Sequence, residues 1–468
     1  MMNKKHKYIY ILLSAIIATA AIVGCSDIRN ATFEETETTV LPIPALLEDS
    51  NSDPDVADYE LTAQLGSSTF FEDKKTQTMG YNGNFLGPVM IVKRGEQVNM
   101  HVKNDLNEDT SVHWHGLKVS GDKDGGPHQI IKPGEIWEPS FVINQPAATL
   151  WFHPHVIGST ASQVYYGLAG VMIVEDDVSA ELDLPKTYGV DDIPLILQDR
   201  SFNSDGSFNY NSNMMDGAIG DTIIVNGAIA PTLEVSQAKM RFRIINGANA
   251  SNFNLTVDDG VQFYQIASDG GFLESPVLEK SLFISPGERA EIVVDFSRFE
   301  KGQTVAMKSG DSDVMYFRIA DSQKDDTIIP DELAEIERMK IDSSTPVKRI
   351  ELDGMGHMVA INGRKFDMER IDDVAKVGVT EVWEITSAAS MMHSMGHPFH
   401  IHGVQFQVLS RSSGQLGSNE LGWKDTVFVA PGETVKIMVQ FEEKGIFMYH
   451  CHILEHEEAG MMGQIRVE

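Results

Sequence analysis

Late in the chain, His450-Cys451-His452 is followed by His456 and Met461. Successive side chains on a strand face opposite sides, so Cys451 points away from His450 and His452. One strand can then serve two metal sites, with a thiolate for one and two imidazoles for its neighbour. Cys451, His456 and Met461, joined by one further histidine, make the donor set of a blue copper centre: two nitrogens, a thiolate and a weak axial thioether. An electron reaching such a centre has a covalent exit through Cys451 to the flanking histidines. This is the chemistry of a redox enzyme.

The chain carries 15 histidines in 468 residues. A lone histidine is more often structural or solvated than a ligand, but four His-x-His pairs exceed what that frequency gives by chance. They are His113/His115, His153/His155, His400/His402 and His450/His452, and no histidine lies between His155 and His357. Residues i and i+2 of a strand lie ~7 Å apart on one face, so paired histidines reach different metals of one cluster. Eight such histidines suit a compact multinuclear site at a seam between the first and last domains. His397 and His456 are left to join Cys451 at a mononuclear site.

The elements that position these residues read as β throughout. Val89–Val92, Gln97–Val102, Gly170–Val174, Val225–Gly227, Phe242–Ile245, Ile292–Phe296, Val382–Ile385, Phe406–Leu409 and Val435–Phe441 are strand-like runs between Gly, Pro, Asn and Asp clusters. Pro133-Gly134-Glu135, Pro286-Gly287-Glu288 and Pro431-Gly432-Glu433 each precede such a run, and Arg94-Gly95-Glu96 is a degenerate copy. Turns repeated roughly 150 residues apart predict three copies of one β-sandwich. The expected divisions are a first domain over 59–178, a second without metal ligands over 179–325, a linker over 326–346, and a third domain over 347–468. A short helix is expected at Asp331–Lys340 within the linker.

Ahead of these lies a targeting segment. Lys4, Lys5 and Lys7 precede an apolar run from Tyr8 to Val23 that is short for a bilayer span. Ile22-Val23-Gly24-Cys25 resembles the lipobox of bacterial lipoproteins. That resemblance implies a signal peptide over 1–24, a lipid anchor on Cys25, and a protein facing the periplasm or the cell exterior. An uncleaved membrane anchor is the alternative and leaves the same exposure. The acidic stretch 25–58 reads as a flexible tether. With 68 acidic against 37 basic side chains the net charge is −31, which repels nucleic acid and anionic membrane. It serves solubility, for instance in a saline habitat, or the steering of cations. There are two cysteines, so with Cys25 lipidated no disulfide within the chain is available to Cys451. An exported lone thiol needs something to hold it, and copper would.

His113-Trp114-His115-Gly116, His153-Pro154-His155, His397-Pro398-Phe399-His400-Ile401-His402-Gly403 and His450-Cys451-His452 through His456 to Met461 resemble the four copper signatures of the multicopper oxidases. Asp124-Gly125-Gly126-Pro127, Asn144–Thr149 and Trp423-Lys424-Asp425-Thr426-Val427 resemble the bacterial laccase-like branch that includes the copper-efflux cuprous oxidases. The resemblance runs from about Asp58 onward. It implies an all-β fold of three consecutive cupredoxin-like Greek-key β-sandwiches, and four copper ions. Type 1 copper falls on His397, Cys451 and His456 with axial Met461. Type 2 falls on His113 and His400. The type 3 pair falls on His115, His153, His155, His402, His450 and His452. It implies a monomer that oxidises cuprous ion, phenols or both at type 1 copper and reduces dioxygen to water at the other three, in copper tolerance. Ferrous or manganous oxidation is the alternative within the class. Some relatives have lost their ligands and serve cell division, which the complete set here argues against.

Asp124 and Glu457 match family positions credited with proton delivery, and orienting the histidine ligands is the other role open to them. The long Met/His-rich insert of the copper-efflux enzymes is reduced to Asp353-Gly354-Met355-Gly356-His357-Met358. Thioethers suit cuprous ion, which makes Met395, Met355 and Met358 candidate contacts, with Asp353, His357 and His393 as helpers. Met391 and Met392 read as packing residues.

Overall fold

The structure is a computed structural model that describes residues 39–211, 215–320, 328–388 and 395–468. The leader at 1–24, Cys25, the tether up to residue 38, and Met391, Met392 and His393 lie outside the described residues.

Alternation builds the sheets. In Val56–Phe71, Ala57, Tyr59, Leu61 and Ala63 are buried while Glu60 is exposed. The parallel partner Gln97–Asp105 sets Val98, Met100 and Val102 beside them, so one face of the sheet closes on the core. A second sheet, formed by Val89–Lys93, His113–His115, Ala148–His153 and Gly170–Glu175, covers that face. Two further sandwiches follow, each with its own core. One pairs a seven-stranded with a five-stranded sheet between Asp192 and Ile319, and the other a six-stranded with a five-stranded sheet between Val347 and Val467. The result is three cupredoxin-like domains in series.

The repeated turns have one construction. Gly95, Gly134, Gly287 and Gly432 all take positive φ, between 74° and 92°, a region open to glycine at little cost. In each copy the glutamate carboxylate reaches back to a backbone N–H three residues earlier: Glu96 to Lys93, Glu135 to Lys132, Glu288 to Ser285 and Glu433 to Ala430.

Three expectations need correction. The run Val225–Gly227 is not all strand. The strand ends at Val225 and Asn226-Gly227 makes a two-residue hairpin turn, with φ of 50° and 84°, as Asn-Gly favours. The described part of the tether, from Thr39 on, is laid down on the protein. Leu41 donates its N–H to the Thr232 carbonyl and is buried in the second core, and Leu47 N–H bonds the Val89 carbonyl. Acidic neighbours hid an apolar strap, Leu41-Pro42-Ile43-Pro44, stiffened by its prolines. Finally, Asp331–Lys340 is not helical. It has no regular secondary structure, with Leu333 and Ile336 buried, while Arg338 donates to the Leu421 carbonyl and Met339 N–H to Gln407 Oε1. Packing across two domains outweighs a local preference for helix.

Candidate metal centres

The first-domain histidines come from two paired strands. His113 lies opposite His153 and His115 opposite Trp151. Trp114, between the two histidines, points the other way into the first core. In the third domain His400 lies opposite His450 and Phe399 opposite Cys451. Since sides alternate, Cys451, Phe399 and His397 share the face toward the third core, while His400 and His450 share the other. The seam joins the two sets. The His113 ring stacks on His402 and the His115 ring on His400, each at 3.7 Å between centroids. All eight paired histidines are buried.

Burial pushes the imidazoles of His115, His153, His155, His402, His450 and His452 well below their ordinary value, and neighbouring imidazoles push them further. They are neutral, with one lone pair each to give. Hydrogen bonds to the protein decide which nitrogen gives it. His113 donates Nδ1–H to the Asp124 carbonyl at 2.9 Å, and His400 donates Nδ1–H to the Asp425 carbonyl at 2.9 Å. Both Nε2 atoms are left buried without a partner. His402 donates Nδ1–H to Asp124 Oδ2 at 2.7 Å, His153 to the Pro154 carbonyl at 2.8 Å and His450 to the Cys451 carbonyl at 3.1 Å. In these three Nε2 faces only other imidazole nitrogens. His115 is the exception, because its Nε2–H goes to Asp425 Oδ1 at 2.9 Å and its lone pair sits on Nδ1. Neither nitrogen of His452 has a partner.

These lone pairs converge. His450 Nε2 lies 3.1 Å from His402 Nε2 and 3.2 Å from His155 Nε2, and His115 Nδ1 lies 3.4 Å from His153 Nε2. Lone pairs this close repel in a dry pocket unless a cation lies among them. Neutral imidazoles aimed at common points suit copper.

At the second centre, Cys451 Sγ lies 3.5 Å from His397 Nδ1 and 3.9 Å from His456 Nδ1, and it accepts the Ile453 N–H at 3.4 Å. Met461 is buried in the same core, and its carbonyl accepts the Cys451 N–H at 3.1 Å. Burial pushes the Cys451 thiol up, so a thiolate here calls for a cation. Burial, then His456, takes His397 down to about 3. Backbone carbonyls cap the outer side of both rings. Gly354 bonds His397, and the Met215 carbonyl accepts His456 Nε2–H at 3.1 Å while also taking the Gly356 N–H at 2.9 Å. The short insert remnant therefore lies over this centre. Met355 there and Met395 before His397 are half-buried, and Met358 is 61% exposed.

Asp124 holds two of the clustered histidines from different domains, His113 by its carbonyl and His402 by Oδ2, while its Oδ1 is buried without a partner. Glu457 places Oε1 3.5 Å from His155 Nε2 and Oε2 3.3 Å from His450 Nδ1. A cavity of about 150 Å³, lined by His155, Glu457, Glu458, Lys365 and Phe366, opens beside it. Both acids thus adjoin the histidine cluster, in positions open to orienting ligands and to moving protons.

Sequence reasoning passed over three residues. Asp425 served only as part of a family motif, yet it bonds both His115 and His400. Burial would push its carboxyl up, but Arg289 and His115 outweigh this and hold it well below the usual carboxylate range. Arg289 lies in the histidine-free middle third, which drew no attention. Met215, 45% exposed, sits in that same third beside an aspartate, a soft–hard pairing that a search for metal donors other than histidine would find.

The comparisons agree with this geometry. Three family models described as multicopper oxidase match residues 63–179, 175–311 and 337–468. Multicopper oxidase mco of Staphylococcus haemolyticus is 42% identical over 427 residues, 91% of each chain. A laccase crystal structure from Pediococcus acidilactici matches with a TM-score of 0.90 at 41% identity, covering 92% of this chain and 94% of that one. Cell division protein FtsP of Xenorhabdus nematophila is 35% identical over 457 residues, 92% of this chain and 93% of its own. With three matching family models and a donor set complete for two copper centres, the chain belongs to the multicopper oxidases, in their bacterial laccase-like branch.

Proposed function

We propose that this oxidase takes single electrons from a small donor, cuprous ion before phenols, and uses four of them to turn dioxygen into water, in the service of copper tolerance. Four copper ions supply the redox change in this reading. The type 1 ion is held by His397, Cys451, His456 and Met461. The type 2 ion is held by His113 and His400, and the type 3 pair by His115, His153, His155, His402, His450 and His452. Cys451 joins the two centres, since one peptide bond on each side leads to His450 and His452. In this reading Asp124 and Glu457, both next to the histidine cluster, supply protons for the reduction of dioxygen.

The observation that carries the donor assignment is the set of methionines on the segments that cap the Cys451 centre. Met215 caps His456 by its carbonyl, Met355 and Met358 flank or adjoin Gly356, whose N–H bonds that same carbonyl, and Met395 lies two residues before His397; thioethers suit cuprous ion. A phenol would have to displace the Gly354 or Met215 carbonyl to hydrogen-bond either ring. Met355→Leu with Met395→Leu should raise KM for cuprous ion by roughly threefold to tenfold and leave oxidation of a bulky phenol unchanged or faster. Steady-state oxygen uptake with each donor measures this, and unaltered cuprous kinetics would reduce these methionines to packing.

Phenol oxidation is the second reading, favoured by the 41% identity to the Pediococcus laccase. Ferrous or manganous oxidation is the third, favoured by exposed Asp216 and Asp353 beside the same methionines. For location we propose an exported lipoprotein facing the periplasm or cell exterior. Mass spectrometry of the native protein should find a lipidated Cys25 as its first residue, and any other start would sink the lipobox reading.

A further inference from the structure

The second domain supplies none of the proposed copper ligands, yet a side chain of it reaches to within one residue of the cluster. The residue after the turn glutamate is Gln97, Ile136 and Thr434 in the other copies of the repeated turn, and Arg289 in the second domain. Arg289 is fully buried and every guanidinium N–H is used. Nε donates to the Thr149 carbonyl of the first domain at 3.1 Å. Nη1 donates to the Gly287 carbonyl at 2.9 Å and to Asp425 Oδ1 at 2.7 Å. Nη2 donates to the Asp269 carbonyl at 3.0 Å and to Asp425 Oδ2 at 2.5 Å. One planar group thus ties the three domains together.

The contact is built closely. A Cβ on Gly116, the residue after His115, would lie 2.6 Å from Arg289 Nη2 and 2.7 Å from Asp425 Oδ2. A Cβ on Gly287 would lie 2.7 Å from His452 Cδ2. Asp269 and Glu288 are in turn neutralised by Lys424, 2.9 Å from each. The arrangement leaves the Asp425 carboxylate to Arg289, to His115 and to the Thr426 hydroxyl, which donates to Oδ1 at 2.9 Å.

We infer that Arg289 is the positioning residue through which the second domain sets the donor atoms of two cluster ligands. It clamps both carboxylate oxygens of Asp425. So held, Asp425 takes Nε2–H of His115 on Oδ1 and Nδ1–H of His400 on its carbonyl, which turns His115 Nδ1 and His400 Nε2 toward the cluster. A lysine has one nitrogen and cannot span both oxygens of the carboxylate. The inference rests on the reading of these histidines as copper ligands.

The test compares Arg289→Lys with Arg243→Met in the copper-loaded protein. Arg243 is also a buried arginine between domains, bonding Thr149 Oγ1, Asp192 and Glu291, but it touches no cluster ligand. Arg289→Lys should keep the blue band, alter the type 2 electron paramagnetic resonance signal, and lose type 2 copper to a chelator about tenfold to a hundredfold faster. Arg243→Met should match wild type in both respects, whatever its melting temperature. If Arg289→Lys fails to fold, Asp425→Asn, which sets an amide N–H against the same guanidinium, should shift the signal and the loss in the same direction. The inference is overturned if Arg289→Lys keeps wild-type signal and retention, or if Arg243→Met loses copper as fast. A wild-type protein with no type 2 signal would overturn the copper reading and this inference together.

Discussion

Cys451→Ser should abolish the blue absorption and lower turnover at least about a thousandfold, equivalent to about 4 kcal/mol of barrier. The thiolate is at once a ligand and the covalent link between the two centres, and a serine hydroxyl does neither job, being a hard donor that stays protonated. The fold should survive. Serine is close to cysteine in size, and Ile453 N–H remains as a partner, so the cost to the copper-free protein is on the order of 1–2 kcal/mol. Absorption spectra, copper content and circular dichroism of the purified variant measure all three. A blue, active serine variant would remove Cys451 from the centre.

Glu457→Gln should slow reoxidation by dioxygen about a hundredfold while leaving reduction of the Cys451 centre by donor near wild type, because an amide cannot relay a proton. Asp124→Asn should act in the same direction. Its amide can still accept from His402, which separates proton movement from orientation of that ring. Stopped-flow reoxidation of the fully reduced variants tests both, and unchanged rates would make them orienting residues only. Glu457 also predicts a pH dependence in the copper-free protein. Burial, then Glu458 and Glu455, raises its carboxyl well above the ordinary value. The folded chain keeps a proton that the unfolded chain releases, so stability present below the usual glutamate range is lost as pH rises. Melting of the apoprotein between about pH 5 and about pH 8 should fall less steeply in Glu457→Gln than in wild type.

Much of this was legible from local pattern. The His-x-His spacing needs only the two-residue period of a strand to predict that His113 and His115 share a face and that Cys451 opposes His450. The structure pairs those strands in just that sense, because backbone alternation is a local property. The repeated Pro-Gly-Glu turn is local too, closing within four residues on its own glutamate, and so it announced three sandwiches.

What lay beyond pattern depends on partners distant in sequence. Apolar Leu41 reads as part of an acidic tether until Thr232 offers it a carbonyl. Leu333 and Ile336 read as a helix until residues far away in sequence bury them, Leu333 against Ile266, Phe272 and Val293. Which nitrogen each histidine presents is decided by Asp124, Asp425 and carbonyls brought from elsewhere in the chain. Arg289 carried no signal because a guanidinium is no metal donor, and Met215 stands apart from the histidine pattern, in a third of the chain that holds no histidine. The sequence by itself determined the donor types, their strand-wise pairing and the β class of the fold, all consequences of covalent geometry. Only the tertiary structure decided where His115 aims its lone pair, what roofs His397 and His456, and why the second domain is present at the cluster. Those outcomes follow from hydrogen bonds and packing between residues far apart in sequence, which no local period encodes.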